Sequence, residues 1–320
     1  MLASTQETPE ETVDARMGLS SIPVLEGRRL APDAVAPMQD SSPLLADGAR
    51  LRARFAEDGY LFLRGALDRE DVLAARREVL GRMAEVGEIA EPAEAALPTG
   101  KSNRAQLHPD LGGFWRSVSE GPALRRAIHG ERARKVASAV LDEPVKPFDF
   151  VWLRAMLAGR ASPLHFDHVY MNRGTDRVTT IWIPLGDVAV AEGPLAVVEG
   201  SHGFDDLIAS YRGHDVDRDP SRPGHVADSA RAFLDQRRAR LLTADFRAGD
   251  LCLFGMFTLH GSVDNASPSG RVRLSVDTRW QAADQPMDER WSGPDPKGHG
   301  GKGYGALGSA RPLGAPQLLR

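Results

Sequence analysis

From Phe148 onward the chain becomes a series of short apolar runs separated by glycine, proline, asparagine and aspartate. Residues 151–157, 178–185, 193–200, 239–246, 250–254, 257–261 and 272–280 all read this way. Branched and aromatic side chains crowd them, as in Val178-Thr179-Thr180-Ile181-Trp182-Ile183, and such residues suit a pleated, half-buried surface. Many short strands with turn signals between them predict a β-sandwich or barrel.

The residues before Phe148 supply helices that buttress one side. Leu51 and Phe55 mark a short helix stopped by Asp58-Gly59, and Tyr60-Leu61-Phe62-Leu63 a strand. Asp68 caps a helix to about Val86, with Val72, Leu73, Val79, Leu80 and Met83 at helical spacing. A loop dotted with Pro and Gly runs from Glu88 to Gly113 and carries Lys101-Ser102-Asn103-Arg104; loops of that length are often functional. Gly121-Pro122 opens further helix, with Val136, Val140 and Leu141 on its apolar side, until Pro144.

The 320 residues allow one large domain or two small ones. We divide them into a leader over 1–45, mobile or extended, a principal domain over 46–280 and an irregular tail over 281–320, rich in Gly and Pro and a candidate lid. An insert at about 204–240 interrupts the strands, polar at first and helical around Ala230 to Arg238.

A hydrophobic fraction of 42% predicts a packed core. The net charge of -4 gives no electrostatic case for nucleic acid or an anionic membrane. Cys252, the sole cysteine, excludes an internal disulfide and a thiolate zinc cluster, and its apolar neighbours point to a buried, inert thiol. Met1 to Arg16 lacks the basic flank and apolar core of a signal peptide. No apolar run approaches the roughly 20 residues of a membrane helix. The expectation is a soluble, cytoplasmic protein of unassigned oligomeric state.

His165-Phe166-Asp167 is the chemically suggestive tripeptide. In an extended strand the two polar side chains share a face, whereas His168 points away. An imidazole beside a carboxylate is two-thirds of a facial metal triad, which leaves coordination positions open. His260 closes an apolar run before Gly261-Ser262 and is the candidate third ligand. Arg271, eleven residues on, shares parity with Arg273 and Ser275, and a guanidinium with a neighbouring hydroxyl forms a fork for a carboxylate.

His165-x-Asp167 is followed in order by Trp182-Ile183-Pro184-Leu185-Gly186-Asp187-Val188, Gly193-Pro194-Leu195, Gly200-Ser201-His202, Gly249-Asp250, His260-Gly261-Ser262 and Asn265-x-Ser267-Pro268 before Arg271. Together with Phe55-Ala56-Glu57-Asp58-Gly59-Tyr60, this ordered set resembles the phytanoyl-CoA dioxygenase family of iron(II)/2-oxoglutarate oxygenases, over roughly residues 50 to 280. The resemblance implies a mainly β fold with α: a double-stranded β-helix (jelly roll, cupin-like) core buttressed by helices. It implies Fe(II) on His165, Asp167 and His260, with 2-oxoglutarate and O2 as co-substrates.

Arg271 would then hold the distal carboxylate of 2-oxoglutarate, with Trp182 and Ser262 beside it and Thr180 on the same strand face as Trp182. His202 belongs to a turn that the family uses structurally. Arg273 competes with Arg271: spacing from His260 favours Arg271, and strand parity does not separate them. Where the family commonly has Lys or Gln on the strand before the metal motif, this chain has Trp152, Arg154 and Met156 on one face.

The implied reaction is hydroxylation of a C–H bond of a small, polar metabolite, with release of succinate and CO2. Retention of Asp167 favours hydroxylation over halogenation. Asn103, Arg104, Arg154, Tyr170, Asn172, Arg279 and residues 297–302 are candidates to line the entrance, favouring a polar or anionic small molecule. A long acyl-CoA is disfavoured for want of a broad apolar stretch. The alternatives are a cupin-like isomerase or hydrolase using zinc or manganese, in which Arg271 would have no evident task, and a non-catalytic jelly-roll binding module, in which the triad would be idle.

Overall fold

The structure is a computed structural model and describes residues 18–315; residues 1–17 of the expected leader and 316–320 of the tail lie outside it. The leader's second part is built into the fold. Strands β1 (Val24–Leu25) and β2 (Arg28–Arg29) form a small hairpin, and β3 (Val35–Pro37) joins a sheet. Proline is tolerated there because β3 is an edge strand.

Helix α1 (Gly48–Asp58) is capped by the Asp47 carboxylate and ends at Gly59, whose φ of 75° is left-handed. Strand β4 (Tyr60–Leu63) follows, then α2 (Arg69–Glu85), where Asp68 accepts from the backbone N–H groups of Glu70 and Asp71. The long loop contains one helical turn, α3 (Arg104–Leu107), and its end passes into α4 (Leu111–Ser119). Helices α5 (Pro122–His129) and α6 (Glu131–Leu141) complete the layer. The β region then runs β5 (Val145–Pro147), β6 (Trp152–Met156), β7 (Val178–Pro184) and β8 (Leu195–Val198). The insert supplies α7 (Asp205–Tyr211) and α8 (Ala230–Arg237) before β9 (Leu241–Thr243), β10 (Leu251–Gly255), β11 (His260–Ser262) and β12 (Arg273–Ala282).

The strands make two facing sheets, a jelly roll. The larger has the order β4-β10-β7-β12-β5, with β6 also paired to β12, and every pairing in it is antiparallel. The smaller has the order β11-β8-β9-β3, with β3 parallel to β9.

Side-chain alternation assigns each face its partner. Leu61, Ile181, Ile183, Leu253, Leu274, Val276 and Trp280 of the larger sheet pack under Val79, Met83, Trp115, Ile128 and Val136 of the helices. Their neighbours Tyr60, Phe62, Trp182, Cys252 and Phe254 turn inward against Leu195, Val197 and Leu242 of the smaller sheet. The outer face of the smaller sheet, Ala196, Val198 and Leu241, is covered by Ile208, Tyr211, Phe233 and Leu234 of the insert. Each Val, Leu, Ile, Phe or Met among them stabilises the fold by about 1.5–3 kcal/mol when fully buried. The insert is thus the second outer layer of the sandwich.

The tail folds back into the core. Tyr304 stacks on Phe150 with ring centroids 4.2 Å apart, and Trp291 packs against Phe150 and Trp152. Cys252 is fully buried, and burial pushes its thiol pKa up, as expected of an inert cysteine.

Candidate active site

His165 and His260 are neighbours because their backbones pair: His165 N–H donates to His260 O at 2.9 Å, and His260 N–H returns to His165 O at 3.2 Å. The imidazole centroids lie 4.3 Å apart. This close approach needs Gly261, since a Cβ there would sit 2.6 Å from Ser162 O. His165 is a lone bridge residue rather than part of the expected extended strand. Phe166 is extended and Asp167 then opens a 3₁₀ turn (Asp167–Tyr170), which still brings the Asp167 carboxylate alongside His165. His168 does point away, stacked on Phe257.

Each imidazole has one nitrogen engaged and one free. His165 Nδ1 donates to Pro163 O at 2.8 Å, and His260 Nδ1 to Thr258 O at 2.9 Å. Those bonds fix the tautomers and leave both Nε2 lone pairs available. The Nε2 atoms lie 3.7 and 3.8 Å from Asp167 Oδ1, too far for hydrogen bonds. Two bonds of about 2.1 Å to a shared ion span such gaps. One ligand atom from each of the three residues falls within 4.8 Å of the others. Burial, and then the neighbouring His260, pushes the His165 pKa down to about 3, so the ring is neutral, the form that binds metal. Burial alone would raise the Asp167 pKa; the Arg279 guanidinium, the two imidazoles and the Thr180 hydroxyl outweigh it and hold the carboxyl well below the usual range. The donor set suits a divalent ion such as iron(II).

Strand β12 lays an alternating polar stripe beside this cluster: Arg273, Ser275, Asp277 and Arg279 all face inward. The cavity next to the histidines is lined by Arg154, Ser162, Trp182, Leu195, Ser262, Arg273 and Asp277. Arg273 is 4% exposed and donates to Gly193 O at 3.0 Å and to Ser275 Oγ at 2.5 Å. Gly193 has a φ of 75°, and a Cβ on it would meet Asn265 N at 2.7 Å. Among the described residues no carboxylate forms an ion pair with Arg273; burial and the nearby Arg154 pull its pKa down to about 10. The Arg154 Nε donates to Asp277 Oδ2 at 2.6 Å.

Arg271, the preferred carboxylate fork in the sequence, lies elsewhere. It precedes β12 and pairs with Glu192 at 2.9 and 2.5 Å, its side chain 42% exposed. The turn at Gly270 and the bond from Asn265 Nδ2 to Arg271 O delay the start of the strand, so shared parity does not carry Arg271 inward. Arg273 and Ser275 take the inward positions instead.

The other expected residues divide similarly. Trp182 and Ser262 line the cavity, and Ser262 Oγ accepts from Ser162 N–H. Thr180 is turned to Asp167 Oδ2, to which it donates, and is not part of the cavity lining. Arg154 lines the cavity, and Tyr170 stands edge-on to His165 at 5.6 Å. Arg279 is buried against Asp167 rather than set at an entrance. Arg104 forms a fully buried pair with Glu88 at 2.9 Å and donates to Ala310 O, and Asn103 sits beside it against Gly87. Asn172 donates to His214 O at 2.6 Å. None of Asn103, Arg104 and Asn172 lines the cavity. Asp277 went unnoticed in the sequence, although the alternation Arg273-x-Ser275-x-Asp277-x-Arg279 within an apolar strand was its signal.

A jelly roll with two neutral imidazoles and a carboxylate converging beside a buried arginine defines the class of non-haem iron(II)/2-oxoglutarate dioxygenases. Known proteins agree. Residues 55–273 match the phytanoyl-CoA dioxygenase (PhyH) family profile. A 1-deoxypentalenic acid 11-beta-hydroxylase of Streptomyces exfoliatus is 32% identical over 260 residues, covering 78% of this chain and 87% of the relative. Its counterpart from Streptomyces arenae is 29% identical over 266 residues with the same coverage. The α-ketoglutarate-dependent carbocyclase SnoK of nogalamycin biosynthesis shares the fold, with a TM-score of 0.52 at 20% identity over 78% of this chain and 89% of its own. EctD from S. alaskensis, solved with 2-oxoglutarate and 5-hydroxyectoine, does so with a TM-score of 0.52 at 18% identity over 86% and 88%.

The chain belongs to the phytanoyl-CoA dioxygenase family and is a non-haem iron(II)- and 2-oxoglutarate-dependent dioxygenase.

Proposed function

We propose that His165 Nε2, His260 Nε2 and Asp167 Oδ1 hold the iron, that Arg273 and Ser275 hold the distal carboxylate of 2-oxoglutarate, and that the substrate is a small organic acid. The observation that carries the co-substrate assignment is Arg273 itself: a buried cation with no ion-pair partner among the described residues, bonded only to Gly193 O and Ser275 Oγ, in the cavity that both histidines line. Buried charge is costly unless paired, and a dicarboxylate supplies the pair. A zinc isomerase or hydrolase would leave that arginine without a task.

When bound, iron(II) supplies the dioxygen activation that couples decarboxylation of 2-oxoglutarate to succinate and CO2 with hydroxylation of a C–H bond. The side chains orient and exclude. Trp182 and Leu195 flank the co-substrate cavity with apolar surface. Tyr170, edge-on to His165 and backed by His299 of the tail at 5.6 Å, forms the wall that the substrate meets. An acid as substrate is supported by the relatives named for hydroxylating 1-deoxypentalenic acid.

The test is incubation of the purified protein with iron(II), 2-oxoglutarate, oxygen and a panel of small acids, reading succinate and hydroxylated product together. Succinate release that rises with an acid, in equal amount to its hydroxylated product, supports the proposal. Turnover confined to neutral or cationic compounds would contradict the acid assignment.

A further inference from the structure

Arg279 and Thr180 are register partners on β12 and β7, so their side chains stand together on the inner face of the sheet. Both reach Asp167. The Thr180 hydroxyl donates to Oδ2, and Arg279 Nη2 lies 3.1 Å from each carboxylate oxygen. Oδ1 is the oxygen within 3.7 and 3.8 Å of the two imidazole Nε2 atoms.

Arg279 is held from behind as well. Its Cζ lies 4.0 Å over the Trp152 ring, and its carbonyl accepts from Phe148 N–H. The side chain is 1% exposed, and its Nε and Nη1 make no hydrogen bond among the described residues; Asp277 is 3.7 Å away. A buried guanidinium whose Nε and Nη1 make no hydrogen bond is costly to keep, and here it offsets the charge of a carboxylate that is equally buried.

We infer that Arg279 is a positioning residue: its Nη2 bridges both oxygens of Asp167 while Thr180 engages Oδ2 alone, and together they hold the carboxylate with Oδ1 turned to the imidazoles, so that Oδ1 is the oxygen offered to the metal. This role presupposes the metal triad proposed above. A carboxylate can bind through one oxygen or both. Holding it to one oxygen keeps vacant the positions that a facial triad leaves for other ligands.

The test is anaerobic titration of the metal-free protein with cobalt(II), with affinity read by chelator competition and folding by thermal unfolding of the metal-free forms. Arg279→Gln and Thr180→Val are each expected to weaken cobalt(II) binding by about ten- to hundredfold, as loss of a ligand's hydrogen-bond partner does. Arg279→Lys, which keeps a cation and a donor, is expected to fall between Arg279→Gln and wild type. A folded Arg279→Gln that binds cobalt(II) within about twofold of wild type would overturn the inference. Should the Arg279 variants fail to fold, Thr180→Val decides alone, and wild-type binding by it overturns the inference. Wild-type protein that binds no cobalt(II) would instead overturn the metal assignment itself.

Discussion

Arg271 and Arg273 sit two residues apart, and the fold gives them opposite environments. Arg273→Ala is expected to raise the KM for 2-oxoglutarate by one to several orders of magnitude, as when one partner of a buried charge pair worth about 2–5 kcal/mol is removed. Arg271→Ala removes a pair that is half-exposed at the arginine, buried at Glu192 and outside the cavity, so its cost falls on stability and the KM for 2-oxoglutarate should change by less than about fivefold in steady-state kinetics. A larger effect at Arg271 would reverse the assignment. The three residues proposed to hold the metal, which the fold brings together, were legible in the sequence because their chemistry is rare in combination. The proposed choice of Arg273 over Arg271 was not, because it depends on where β12 begins, which follows the turn at Gly270 and the bond from Asn265 to Arg271 O. Arg279 reads from the sequence as a candidate to line the entrance for the same reason: alternation gives a face, but not which end of the strand is enclosed.

At the level of elements, β12 joins the active site to the helical layer through its alternating faces. Its inner face carries Arg273 to Arg279, while on its outer face Thr278 meets His129 of α5 at 2.8 Å. Burial, then Arg125 and Arg134, pushes the His129 pKa from 6.5 down to about 3. Between those values the unfolded chain binds a proton that the folded chain does not, so stability falls as pH falls through this window. His129 alone should contribute a loss of about 2 kcal/mol between pH 7 and pH 5. Urea unfolding of wild type and His129→Gln at both pH values checks this: the variant's stability should depend less on pH by that amount, and an unchanged pH dependence would contradict it. Most elements were readable, since Asp68, Gly59 and Pro122 mark helix ends and branched residues mark β7. The short strand β3 was not, because three edge residues ending in proline carry no periodicity. The insert's role was hidden too, because the surface it covers comes from strands distant in sequence.

For the whole molecule, the helices and the insert cover the outer faces of the two sheets, the tail returns to the principal core, and the cavity beside the histidines lies between the sheets. The tail was read from its glycines and prolines as a candidate lid, yet Trp291 and Tyr304 belong to the principal core. Trp291→Ala should therefore cost about 3–5 kcal/mol of stability, measured by denaturant unfolding, rather than merely opening the site. Among the described residues no helix is long and apolar enough to cross a membrane. Metal binding should stabilise the native state, by about 2.7 kcal/mol at a hundredfold excess over Kd, and a chelator should lower the unfolding temperature accordingly. The account stands on iron and 2-oxoglutarate meeting in that cavity, and the anaerobic visible spectrum tests it most directly. Iron(II) followed by 2-oxoglutarate should produce a charge-transfer band in wild type that is absent in Asp167→Ala and needs far more 2-oxoglutarate in Arg273→Ala. No band in wild type at saturating iron(II) and 2-oxoglutarate, or a full band in Asp167→Ala, would contradict the account.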